Sequence, residues 1–84
     1  MTRPVLADAV ELARTALVEL HEGPVGEYLG VTSEDDCAAT HRFTAELPGY
    51  RGWQWAVVVA ADPESDHATV SEIALLPGPE ALLS

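Results

Sequence analysis

The sequence predicts an α+β fold, a two-layer sandwich in which one N-terminal helix packs on a four-stranded antiparallel meander sheet. Apolar residues recur at three- and four-residue spacing over the first 22 positions, and from Val25 onward the period changes to two. Compact turn signals at 33–36, 48–52 and 61–66 cut the second part into four pieces.

The helix spans 4–22. Leu6, Val10, Ala13, Leu17 and Leu20 lie on one face, Val5, Ala9, Leu12 and Ala16 widen it, and Asp8, Glu11, Thr15, Glu19 and Glu22 fall opposite. Thr2 is placed to cap the first turn, Pro4 is tolerated within it, and Gly23 followed by Pro24 ends the helix. Strands follow at about 26–32, 37–47, 53–61 and 67–76. In the second, Cys37, Ala39, His41, Phe43, Ala45 and Leu47 alternate with the more polar Thr40, Arg42, Thr44 and Glu46, so one face is buried and one wet. A loop at Pro48–Gly52 would pair Leu47 with Trp53, Ala45 with Trp55, Phe43 with Val57 and His41 with Val59, sorting both strands onto matching faces. The last strand conflicts with itself. Glu72 argues for Thr69, Ser71, Ile73 and Leu75 inward, whereas Ala68 and Val70 favour the opposite facing.

The 84 residues make a single domain of 1–84, small enough to bury only about 60 to 70% of the surface of its unfolded chain. With 48% apolar and 21% charged residues, the composition is that of a folded protein. Fourteen carboxylates stand against four arginines and no lysine, a formal charge of -10. That field repels phosphate backbones and anionic membranes, so direct nucleic-acid binding and membrane binding are not expected. A lone Cys37 allows no internal disulfide, no apolar run approaches the roughly 18 residues of a membrane helix, and the N-terminus lacks a secretory pattern. The expected setting is the cytoplasm. Arginine as the only strong base, with no Lys or Asn and abundant Ala, Val, Gly and Pro, is the bias of a GC-rich genome.

No catalytic motif stands out, and no enzyme activity or cofactor is expected. Ser33, Ser65 and Ser71 lie in turns or on an edge, and Cys37 is expected beneath the helix without a basic neighbour. Asp36, Cys37 and His41 offer metal-ligand atoms, yet on a strand Cys37 and His41 lie about 13 Å apart, and neither His21 nor His67 adds a ligand pattern. His41 reads better as a core histidine with its hydrogen bonds made. Gly49-Tyr50-Arg51-Gly52 lacks the lysine and following helix of a phosphate loop.

The densest chemistry is LPGYRGWQWAVVVA at 47–60. Trp53 and Trp55 fall on the core face with Val57 and Val59. Tyr50 and Arg51, between Gly49 and Gly52, sit at a hairpin tip and are residue types enriched at interface hot spots; the competing reading has Arg51 pairing with a carboxylate and Tyr50 packing on its own loop. The leading expectation is a non-catalytic module that binds another protein, or itself, through Tyr50, Arg51 and an open face carrying Arg42, Thr44 and Gln54. The alternative is a small-molecule binding domain or weak enzyme, its pocket lined by Trp53, Trp55, His41 and Tyr28 between helix and sheet.

Three segments, VGEYLGV at 25–31, THRFTAELPGYRGWQWAVVVA at 40–60 and TVSEIALLPGPEALL at 69–83, resemble an actinobacterial family of uncharacterised proteins, the domain of unknown function 3027. LPGYRGWQW together with LLPGPEALL carries most of that resemblance. It implies an actinobacterial cytoplasmic protein and supplies no activity or site residues. Family members continue beyond this point into a tryptophan- and proline-containing segment, so the resemblance implies a short member or an excised domain.

Overall fold

A computed structural model describes residues 2–21 and 25–81. Its helical part comes in two pieces, α1 (Pro4–Ala7) and α2 (Val10–His21), and its strands are β1 (Tyr28–Asp35), β2 (Ala38–Thr44), β3 (Trp53–Ala60) and β4 (Thr69–Pro77). The strands form one antiparallel sheet in the order β1-β2-β3-β4, with both helices on one face. This is the expected α+β sandwich of an N-terminal helical layer on a four-stranded meander.

The helical layer is interrupted at Asp8–Ala9 rather than continuous from 4 to 22. Arg3, not Thr2, occupies the N-cap and makes no side-chain cap. Its guanidinium instead reaches across the sheet end to four main-chain carbonyls: Asp36 at 3.1 Å and Ala61 at 3.3 Å through Nη1, Asp62 at 3.1 Å and Ser65 at 3.0 Å through Nη2. One planar donor fork thus joins the start of α1 to the β1–β2 and β3–β4 turns. The helix ending expected at Gly23-Pro24 lies outside the described residues.

Only the ridge Ala9, Ala13 and Leu17, continued by Leu6, is buried against the sheet. Val5 and Val10 pack beside that ridge, whereas Leu20 is 58% and Leu12 38% exposed. The expected wide apolar stripe is therefore used in part, without Leu12 and Leu20. The sheet contributes Ala39, His41, Phe43 and Ala45 from β2 and its end, and Trp55, Val57 and Val59 from β3. Arg14 on α2 lies over the Phe43 ring, 5.1 Å from its centroid, covering that ring with a cation and its aliphatic stem.

Among the described residues His41 is the one polar residue in this core, fully buried. Its Nε2 lies 2.7 Å from the Leu6 carbonyl, which can only accept, so Nε2 carries the proton. A neutral ring then accepts at Nδ1, where the Tyr28 hydroxyl donates at 2.9 Å. The imidazole joins β1, β2 and α1 next to the helix interruption.

The hairpin register differs from the expected one by two residues. Phe43 faces Trp55, His41 faces Val57 and Ala39 faces Val59. The loop is longer than Pro48–Gly52: Ala45 donates to the Trp53 carbonyl at 3.0 Å, and two successive turns follow, with Tyr50 donating to the Leu47 carbonyl and Trp53 to the Tyr50 carbonyl. A two-residue shift preserves parity, so the expected facing of every β2 and β3 residue survives the wrong pairing. In β4 the conflict is removed by a bulge. Val58 pairs with Glu72 and Val59 with Val70, which leaves Ser71 unpaired and lets Ala68, Val70, Ile73 and Leu75 all pack on the core. Thr69 and Ser71, expected inward, are exposed. Likewise the first turn falls at Asp36–Cys37, closed by an Asp35 Oδ1 contact to the Cys37 amide at 2.7 Å. Cys37 is thereby half-buried in a turn instead of covered by the helix.

After β4 the chain turns back against the hairpin, and Gly78 donates to the Gly52 carbonyl at 3.1 Å. Gly52 has φ +82°, and a Cβ there would lie 2.5 Å from the Glu80 carbonyl oxygen. Gly49 has a similar φ of +83°, but open space around it.

Three outcomes follow for urea unfolding. His41→Phe keeps an aromatic ring yet takes the imidazole from the Leu6 carbonyl and the Tyr28 hydroxyl and costs about 1–3 kcal/mol, while His41→Ala adds a cavity and costs about 2–5 kcal/mol. Gly49→Ala costs about 1–2 kcal/mol of left-handed strain alone, and Gly52→Ala costs at least twice as much because the main chain at Glu80 must also move. Finally, burial raises the Tyr28 pKa above 10.0, an effect that the Arg42 charge opposes. The folded chain then holds this proton more tightly than the unfolded one, so stability falls as pH rises past about 10. Tyr28→Phe flattens that alkaline decline.

Candidate functional site

Alternation along β2, β3 and β4 puts a second set of side chains on the face away from the helices. Three cross-strand rows run over it: Thr44, Gln54 and Leu76; Arg42, Ala56 and Ala74; Thr40, Val58 and Glu72. No described helix packs on this face. Its middle is apolar, its small Ala56 is shielded by its neighbours, and Leu76 at its edge is 50% exposed. The Thr40 hydroxyl donates to Glu34 Oε1 at 3.1 Å, which holds that carboxylate at the β1 side.

At the hairpin end lies a groove of ≈ 770 Å³, bounded by the 46–52 loop, Leu29 and the returning Pro79–Glu80. Thr44, Gln54 and Arg51 line it together, so it brings three of the five expected partner-contact residues into one surface. Thr44 is held there by two hydrogen bonds: its Oγ1 accepts from the Glu27 amide at 2.8 Å and donates to Glu46 Oε1 at 3.2 Å. Arg42 is two positions along on the same face of β2.

Tyr50 packs edge-on against the Trp53 ring, with centroids 5.2 Å apart at 87°, and remains 39% exposed. It is both a loop-packing residue and a surface one. Arg51 is exposed and, like Arg42, forms no ion pair with any described residue. Of the four arginines, Arg3 is engaged with carbonyls and Arg14 with Phe43 and, at 3.9 Å, Glu11; Arg42 and Arg51 are the two left to face an incoming group.

The four residues of the expected helix–sheet pocket separate. Trp55 and His41 are core residues, the Tyr28 hydroxyl is committed to His41 while its ring packs 5.3 Å from Phe43, and Trp53 lines the hairpin groove outside. Both His41 nitrogens are occupied, so this imidazole offers no free base or ligand atom. Among the described residues, no three His, Cys, Asp or Glu side chains gather as a metal site. The Arg3 clamp and the contribution of Leu29, Pro79 and Glu80 to the groove were not foreseen. Arg3 carries no signal in sequence, since its partners are carbonyls 33 to 62 residues away; the LLPGP turn after β4 did signal a change of direction.

Comparison with known proteins places these features in a lineage. The chain is 62% identical over 82 residues to an uncharacterised protein of Mycobacterium bovis and, equally, to uncharacterised proteins of two Mycobacterium tuberculosis strains. The match takes in 95% of this chain and 31% of each relative, so the chain spans about a third of their length. No solved structure matches it. No described helix is long and apolar enough to cross a membrane. Residues 26–84 match the model of a protein family of unknown function, and the chain belongs to that family, DUF3027.

Proposed function

We propose that this domain is a non-catalytic protein–protein interaction module of a cytoplasmic actinobacterial protein, docking through the 48–52 hairpin tip and the adjoining open sheet face. The observation that carries this reading is the pairing of a partly apolar sheet face that no described helix covers with two arginines, Arg42 and Arg51, that no described carboxylate engages in a chain of charge -10. Neutralising such cations internally would be easy with fourteen acids available, and their freedom fits a partner that supplies carboxylates. The edges of the sheet support the same choice of surface. β1 is bulged at two places, and β4 is bulged at Ser71 and ends on Pro77, so neither edge suits strand addition.

A second reading, a small-molecule site, draws on the groove itself. Its volume lies in the range of ligand pockets, and it presents Trp53 beside Thr44, Gln54 and Arg51.

Photo-crosslinking in mycobacterial cells from position 76, where Leu76 is exposed beside Gln54 on the open face, distinguishes the two. The interaction reading expects discrete protein adducts that vanish in Arg51→Glu, with the melting temperature unchanged within about 4 °C as for a surface substitution. Adding Tyr50→Ala also removes the Trp53 contact and lowers the melting temperature by a further few degrees, about 1 kcal/mol. Absence of adducts, together with a Trp53-dependent fluorescence change in a metabolite screen, favours the small-molecule site.

A further inference from the structure

We infer that the hairpin-end groove takes an apolar zwitterion, in the form of a short apolar peptide with both ends free, its carboxylate on Arg51 and its ammonium on Glu46 and Glu80. This rests on the second reading above, the groove as a small-molecule site, and names the ligand of that site.

The groove of ≈ 770 Å³ has three charged residues on its wall, one base and two acids. All three are exposed, and Arg51 makes no ion pair with Glu46, Glu80 or any other described residue. Hydrogen bonds fix the acidic side of the groove. Glu46 Oε1 accepts from the Thr44 hydroxyl at 3.2 Å, and the oxygen of that hydroxyl is itself held by the Glu27 amide at 2.8 Å. Glu80 lies on the returning segment, whose main chain is pinned by the Gly78 amide on the Gly52 carbonyl and by the Ala81 amide on the Gly78 carbonyl, each at 3.1 Å. Opposite charges thus share one wall without neutralising each other.

That arrangement selects the class of ligand. A lone carboxylate is drawn to Arg51 but repelled by two acids, and a lone ammonium is drawn to the acids but repelled by Arg51; a molecule with one charge at each end makes both contacts favourable. The guanidinium fork matches a carboxylate, and an ammonium has three N–H donors to share between two glutamates. The rest of the wall calls for an apolar body, since Trp53, Leu29 and Leu47 line it, with Leu29 37% exposed. Size favours a peptide. The volume lies in the upper part of the range of ligand pockets, about 300–1,000 Å³. An extended tripeptide spans about 10 Å and so sets its two charges apart, whereas a free amino acid carries both on one carbon.

Titration of the 84-residue chain with trileucine to about 1 mM, followed by tryptophan fluorescence and calorimetry, tests this beside N-acetyl-trileucine, trileucine amide and free leucine. The expected result is trileucine binding with a fluorescence change that Trp53→Phe removes, and about tenfold weaker binding when either end is blocked. Arg51→Gln should weaken trileucine about tenfold yet be indifferent to amidation, and Glu46→Gln combined with Glu80→Gln should be indifferent to acetylation, because a partner already lost cannot be lost again. Circular dichroism of each variant establishes that the fold is intact. Free leucine binding as tightly as trileucine upholds the zwitterion and identifies the amino acid as its source. Equal affinity for the free and blocked peptides overturns the proposal, as does an Arg51→Gln chain that loses trileucine and its amide alike. A chain that binds neither trileucine nor leucine overturns it too; a different metabolite that then shifts Trp53 fluorescence leaves the small-molecule site standing without this ligand, and the lack of any such metabolite removes both.

Discussion

A buried imidazole determines how the two layers meet. His41 projects from β2 with no solvent exposure and must satisfy two ring nitrogens in an environment that contains no water-facing alternative. It does so with one group from each neighbour, the Leu6 carbonyl of α1 and the Tyr28 hydroxyl of β1. Because a carbonyl accepts only and a phenol donates well, the tautomer is fixed by the partners, and the partners are fixed in place by the ring. The helical interruption follows the same logic. The Leu6 carbonyl sits beside the Asp8–Ala9 break, where the amide of Ala9 reaches it only at 3.4 Å, and the imidazole makes the shorter contact at 2.7 Å. A lapse in helical hydrogen bonding is thus compensated by a bond between layers.

Arg3 does for the rim what His41 does for the interior. Turns are where backbone carbonyls are left without ladder partners, and two of the turns of this sheet converge at the start of α1. A guanidinium is suited to that place because its fork can satisfy several acceptors at once without demanding a carboxylate. This has an electrostatic consequence. In a chain with few cations, using Arg3 on neutral acceptors and Arg14 on an aromatic face, with Glu11 at 3.9 Å, leaves most carboxylates without an arginine partner among the described residues, with Arg42 on the face opposite the helices and Arg51 in the hairpin loop.

What could be read from the sequence was governed by parity. Period-two alternation sorted β2 and β3 onto the right faces, named the buried His41 and Phe43, and set Arg42, Thr44 and Gln54, all half-buried, on the other side. Facing survives any even error in register, which is why a pairing wrong by two residues left the surface assignment intact. Odd irregularities are different. The bulge at Ser71 inserts one residue and reverses the facing of everything before it, and no alternation pattern announces where a strand will take such a step. The contradiction between Val70 and Ile73 was that step, visible as a conflict and resolvable only in three dimensions. Cys37 was misplaced for a related reason, since an Asx contact from Asp35 allowed a tighter turn one residue later than composition suggested. Long-range hydrogen bonds such as those of Arg3 leave no local pattern at all.

The same alternation that builds the core also constrains how the other face can be used. A four-stranded sheet with one covered side has either to solvate its second side or to lend it to something else, and the choice is written in the residues there. Solvation calls for charge at most positions, as on the outer side of α2 with Glu11 and Glu19. Here the middle strand instead presents Gln54, Ala56 and Val58, with Thr40 and Thr44 beside it on β2, Arg42 in the middle row and the acids Glu34, Glu46 and Glu72 toward the ends. Threonine and valine serve strand formation equally on a wet or a dry face, so they do not distinguish the two uses. The charges do: Glu34 and Glu46 are held by Thr40 and Thr44 toward two ends of the face, which leaves the row of Ala56 and Ala74 with Arg42 as its one charge, and an isolated exposed cation contributes little to the fold.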